Sequence, residues 1–149
     1  METVAWEMTH SVETNASPSF AWNYWTDVAN WDDPPAKFAL EGPFAAGTRG
    51  TTQLPGQDPL HWIIRKATHP DAATIEIELP GATLSFEWRF DGLAGGRTML
   101  TQRVVLAGEN ANAYRSQAQS TLTANLPAGM AKIATAMAKA SSTNHVSTS

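Results

Sequence analysis

The chain has 149 residues, 42% of them hydrophobic, with a formal charge of −4 and a pI near 5.5. That is the size of one domain with a substantial core, and it lacks the basic footprint of a nucleic-acid binder or a membrane-surface patch. It has no cysteine, which excludes disulfides, thiolate metal sites and a cysteine nucleophile, and no run approaches the ~20 apolar residues of a membrane span.

The N-terminus, METVAWEMTH, has no apolar signal-peptide core, so a soluble cytoplasmic protein is expected. From Val4 to Thr14, Trp6, Met8, His10 and Val12 alternate with Ala5, Glu7, Thr9, Ser11 and Glu13, the period of a strand with one face turned in. His10 falls on the inner face. Ser17-Pro18 then reads as an N-cap followed by proline at the first helical position, and Ala21, Tyr24, Trp25 and Val28 trace a helical stripe. Asp27 can cap a second short helix from Val28 to Trp31, which Pro34 and Pro35 end. Two short strands are expected near Phe38–Leu40 and Arg49–Gln53, separated by Gly42-Pro43 and Gly47. The run HWIIRKA suits a strand, but alternation does not assign its faces. After the turn THPDA, Ile75, Ile77 and Leu79 alternate with Glu76 and Glu78 up to Pro80-Gly81.

The longest β signal is Leu79 to Glu109. Leu84, Phe86, Trp88 and Phe90 alternate with Ser85, Glu87 and Arg89, and after a turn near Ala94 to Gly96 the even positions Leu100, Gln102, Val104 and Leu106 share their face. On the wet side Glu87 can then meet Arg103 across the strands. Gln102 becomes a lone amide pointing inward, which needs a partner in protein, water or ligand because burying it unpaired costs about 1–3 kcal/mol. Beyond Gly108, Tyr114, Ala118, Leu122, Leu126, Met130, Ile133 and Met137 recur at steps of three or four, a long amphipathic helix. Pro127 predicts a kink there, or two consecutive helices with Pro127 in the first turn of the second. The domain is expected to span residues 1–140, with 141–149 a flexible polar tail.

Strand, two short helices, six strands and a long C-terminal helix resemble the helix-grip fold of the START/Bet v 1-like (SRPBCC) superfamily, an α+β fold with a curved seven-stranded antiparallel sheet. The residues resemble its polyketide cyclase/dehydrase branch in ASPSFAWNYWTDVANW, LEGPFAAGTRG, LPGATLSFEWRFDGLAGGRT with VVLAGE, and NLPAGMAKIA, together from about Trp6 to Ala138. The resemblance implies a cavity for an apolar or aromatic molecule between sheet and long helix, without a catalytic signature to carry over. It makes the first and last strands neighbours, so that His10 and Gln102 face one cavity, His10 as a general base and Gln102 holding a ligand carbonyl or fixing the ring tautomer. The structural alternative is that the two bond each other or a buried water. Trp31, with Asp32 and Asp33 beside it, is implied to sit where the helical elbow meets the sheet and gates the cavity. Phe86, Trp88, Phe90, Leu122, Leu126 and Met130 form its apolar wall on this reading, although such stripes are more often core than pocket.

Other motifs carry less. GPFAAGT lacks the Lys-Ser/Thr and following helix of a phosphate loop. His10, His61, His69 and His145 have no metal-ligand spacing, no cofactor is implied, and Asn15-Ala16-Ser17 is a sequon whose serine reads as a cap. No G-x-S-x-G suggests a serine triad. Three functions follow: a binder of a small hydrophobic or aromatic, lipid-like or polyketide-like ligand; a cyclase or dehydratase with His10 as base and Gln102 or Tyr24 polarising a carbonyl; and an interaction module similar to the superfamily's chaperone-activator relatives. A cavity with isolated polar atoms marks the first, converging titratable groups the second, and an exposed apolar patch over a filled interior the third.

Overall fold

The structure, a computed structural model, describes residues 4–31 and 36–147, with side chains as far as residue 142. Its elements are β1 (Val4–Thr14), α1 (Pro18–Trp25), a 3-10 turn (Val28–Asn30), β2 (Lys37–Leu40), β3 (Arg49–Gln53), β4 (Leu60–Thr68), β5 (Ala72–Leu79), β6 (Ala82–Leu93), β7 (Arg97–Ala107) and α2 (Asn112–Ser147). The strands form one open antiparallel sheet in the order β1-β7-β6-β5-β4-β3-β2, so the first and last strands are neighbours and β2 lies at the far edge. With α2 laid across one face, this is the α+β helix-grip architecture.

Local sequence accounts for each element's limits. The Ser17 hydroxyl accepts from the Phe20 N–H at 3.2 Å and Pro18 opens α1, so two orphan donors of the first turn are dealt with by a cap and by a residue that has none. The helix buries Ala21, Trp22 and Trp25. The periodic stripe ran through Tyr24 and Val28 instead, which are only half-buried, and left out Trp22. Asp27 caps the 3-10 turn by accepting from the Ala29 N–H at 3.1 Å. In β1 the expected alternation holds, with Trp6, Met8, His10 and Val12 turned in and Glu7, Thr9, Ser11 and Glu13 exposed.

Strand β4 shows why its faces were illegible. Its register against β5 shifts between Ile64 and Lys66, leaving Arg65 as the extra residue of a bulge. Trp62 and Ile64 point inward before it and Ala67 after it, so the inner set changes parity in mid-strand. The turn between β5 and β6 is Pro80-Gly81, where Gly81 has φ +76° and a Cβ would stand 2.6 Å from that of Asn110. Only glycine meets both demands.

Helix α2 is one helix with Pro127 inside it, and its last turns are formed by the polar segment after residue 140. It packs on β1 and α1, burying Leu126, Met130, Ala134 and Met137 against sheet residues that include Trp88, Leu100 and Val104. Side-chain bonds tie it to the sheet and its turns: Thr14 Oγ1 of β1 donates to the Ala134 carbonyl at 2.7 Å, and Tyr114 Oη donates to the carbonyl of Pro80 in the β5–β6 turn at 3.0 Å. Across the outer face of the sheet Arg103 donates to Glu87 at 3.2 Å, as the strand parity predicted, and to Glu7 at 2.8 Å. The Glu7 hydrogen bond first, and the Glu87 charge after it, hold the Arg103 guanidinium above its usual pKa. Among the described residues no helix is long and apolar enough to cross a membrane.

Candidate functional site

A cavity of about 750 Å³ lies between the inner face of the sheet, the elbow of α1 with the 3-10 turn, and the middle of α2. Strand periodicity builds one wall, because Trp62, Ile75, Ile77, Phe86, Trp88 and Gln102 all sit on the inner parity of adjacent strands. Helical spacing builds the opposite wall from Leu122, Leu126, Met130 and Ile133, and the elbow adds Tyr24, Trp25 and Trp31.

The tryptophans form a continuous chain. Trp25 lies 4.9 Å from Trp88 and 6.0 Å from Trp31, which stacks on Trp62 at 5.6 Å, all between ring centroids. Two of the indole donors are used within the protein: Trp31 Nε1 donates to the Trp25 carbonyl at 2.6 Å, and Trp62 Nε1 to Thr52 Oγ1 at 3.1 Å. Trp62 can lie flat along β3 because the residue opposite it is Gly50, where a Cβ would meet the ring at 2.3 Å. The wall is therefore locked by packing and hydrogen bonds before any ligand arrives, which keeps the entropy cost of binding low.

Gln102 is 5% exposed and lies on β7 directly between Trp88 of β6 and His10 of β1. Its amide makes no hydrogen bond with any described residue, His10 included, and opens onto the cavity. His10 shares the face and the register, but it is half-buried and does not line the cavity. The pair is thus adjacent along the sheet, with only one member at the wall.

The other residues singled out by sequence divide similarly. Tyr24, Trp31, Phe86, Trp88, Leu122, Leu126 and Met130 line the cavity. Phe90 is 2% exposed and packs 5.5 Å from both Trp22 and Trp25, in the core below the elbow rather than on the wall. Asp32 and Asp33 lie outside the described residues, as does the His145 side chain. Among the described residues no three His, Asp or Glu side chains converge as a metal site requires.

Sequence reasoning missed Trp25, Trp62, Ile75 and Ile77 as lining residues, together with Asn30, Asn125 and Lys132. Ile75 and Ile77 carried a signal, since they share the inward parity of their strand. Trp62 did not, because the bulge hides its face. Asn125 and Lys132 are exposed residues of α2 and become lining residues only through the angle at which the helix crosses the sheet.

A sheet wrapped against a long helix around an aromatic-lined cavity defines a Bet v 1-like scaffold of the polyketide cyclase type. The chain belongs to the family described as polyketide cyclase/dehydrase and lipid transport, which matches residues 5–138. Among solved structures it is similar to norcoclaurine synthase from Thalictrum flavum in complex with dopamine and hydroxybenzaldehyde, at 13% identity and a TM-score of 0.68, covering 93% of this chain and 86% of that one. It is also similar to protein NE0264 from Nitrosomonas europaea, at 11% identity and a TM-score of 0.68, covering 89% and 94%. Protein SA2116 from Staphylococcus aureus, of unknown function, aligns at 15% identity and a TM-score of 0.64, covering 94% and 96%. At these identities the likeness is one of fold. A search of curated proteins by sequence found no match.

Proposed function

We propose that this protein binds a small, flat, predominantly apolar or aromatic molecule in the cavity between the sheet and α2. The observation that carries the reading is the cavity itself, about 750 Å³ walled by four tryptophans whose rings are mutually packed. A ligand burying about 300 Å² of apolar surface there would gain about 7 kcal/mol, against ~1 kcal/mol for a typical net hydrogen bond. Rings thus supply affinity, and the few polar groups on the wall orient the ligand. The norcoclaurine synthase structure, with two aromatic compounds bound on the same fold, supports this choice of ligand class.

Binding is favoured over a cyclase or dehydratase activity with His10 as base. A general base must come within hydrogen-bond reach of the proton that it removes, and His10 lies off the wall that a ligand would touch. The interaction-module reading needs a contiguous exposed apolar patch, whereas the exposed large hydrophobic residues among those described are Val4 and Leu60, on β1 and β4.

Native mass spectrometry of protein purified from its host tests the proposal. The expected result is a non-covalent small-molecule adduct that a Trp31→Ala variant retains more weakly and a His10→Ala variant retains fully. Protein that never carries an adduct, and whose tryptophan emission is indifferent to added polycyclic aromatics, would refute it.

A further inference from the structure

Three polar side chains are buried among the described residues: Thr14 at 4%, Thr98 at 0% and Gln102 at 5% exposure. Both threonine hydroxyls donate to backbone carbonyls at 2.7 Å, Thr14 to Ala134 and Thr98 to Ala16. Gln102 has no such partner among the described residues and is the one of the three that faces the cavity. The fold thus pairs its structural polar groups and leaves this one available. Among the described residues no polar side-chain atom is sealed in without a partner, so the amide reaches the open cavity, where water or a ligand group takes the place that a protein partner takes for the threonines.

The surroundings restrict what that partner is. Trp88 stands opposite Gln102 on β6, and the indoles of Trp31 and Trp62 send their donors into the protein, so neither of those two rings presents an N–H to a ligand. A primary amide presents one acceptor and two donor hydrogens side by side, which suits a group that itself both accepts and donates. It is also neutral, so the sheet side of the wall at Gln102 supplies no formal charge to compensate one on a ligand, and the charged lining residue, Lys132, stands on α2.

We propose that Gln102 is the specificity-determining residue of the cavity, selecting aromatic ligands whose buried end carries a neutral donor–acceptor group such as a carboxamide, lactam or enol. This rests on the ligand-binding reading above and adds to it the chemistry at the inner end of the ligand. Gln102 therefore discriminates against a hydrocarbon of the same shape and against a carboxylate, both of which leave its amide poorly matched.

Three probes of one shape test this: anthracene-2-carboxamide, 2-methylanthracene and anthracene-2-carboxylate, each titrated with the protein and followed by the anisotropy of its own emission. Wild type is expected to bind the carboxamide about tenfold more tightly than either of the others, a factor equivalent to about 1.4 kcal/mol. In Gln102→Met, close in volume but without the amide, the carboxamide should weaken about tenfold and 2-methylanthracene should bind as well or better. Gln102→Glu keeps the shape and should also lose the preference, so the inference stays testable if one variant folds poorly. Equal affinities of wild type for the carboxamide and 2-methylanthracene, or a preference that survives both substitutions, would overturn the role of Gln102 and leave the cavity reading standing. Failure of wild type to bind any of the three would overturn both.

Discussion

A methyl group added at Gly50 would come within 2.3 Å of the Trp62 ring, and that ring has little room to yield. Trp62 is stacked on Trp31 and hydrogen-bonded to Thr52, so a shift breaks both contacts at once. Gly50→Ala gains up to about 1 kcal/mol from reduced freedom of the unfolded chain but incurs an overpacking cost of about 1–3 kcal/mol. The net expectation is a lowered urea midpoint together with weaker binding of aromatic probes, because the displaced ring is part of the wall. A variant with wild-type stability and binding would show that Trp62 re-seats freely. Residues of this kind differ in how legible they are. The inward parity of Gln102 followed from alternation alone, whereas the lack of a partner for its amide depended on where Trp88, His10 and α2 come to rest around it.

At the scale of elements, the position of α2 decides whether there is a cavity at all. The helix is held over β1 by a buried bond from the Thr14 hydroxyl to the Ala134 carbonyl, in addition to the packing of Met130 and Met137. Thr14→Val preserves shape and removes the donor, while the Ala134 carbonyl keeps its place in the helix. The expected loss is about 1 kcal/mol, read as a lower urea midpoint at unchanged slope. The seven strands, both short helical elements and the long helix were each legible from periodicity, caps or turn residues, with β3 at its observed limits and β2 one residue short at Lys37. The face of β4 was not, since the bulge at Arg65 switches parity in mid-strand. Pro127 left two outcomes open, and the structure has one continuous helix: packing along four buried positions of α2 outweighs the single hydrogen bond that proline removes.

Over the whole molecule, the two faces of the sheet are separate chemical surfaces. The outer face carries the Glu7–Arg103–Glu87 bridge, whose side chains are 40–49% exposed, and exposed ion pairs contribute only about 0.2–1 kcal/mol. Arg103→Met should therefore change stability by less than about 1 kcal/mol and leave probe binding in the cavity unaltered, since the substitution shares no partner with the inner wall. Altered probe affinity would show the two faces to be coupled through the sheet. By itself the sequence determined the succession of elements, the inward and outward sets of most strands, and the family resemblance, because hydrophobic period and turn chemistry are local properties of the chain. Only the tertiary structure decided which inward residues line open space and which are core. It placed Phe90 under the elbow, kept His10 off the wall and brought Trp62, Asn125 and Lys132 to it. Those outcomes depend on how the helix crosses the sheet and on the volumes of side chains far apart in sequence, which no local pattern encodes.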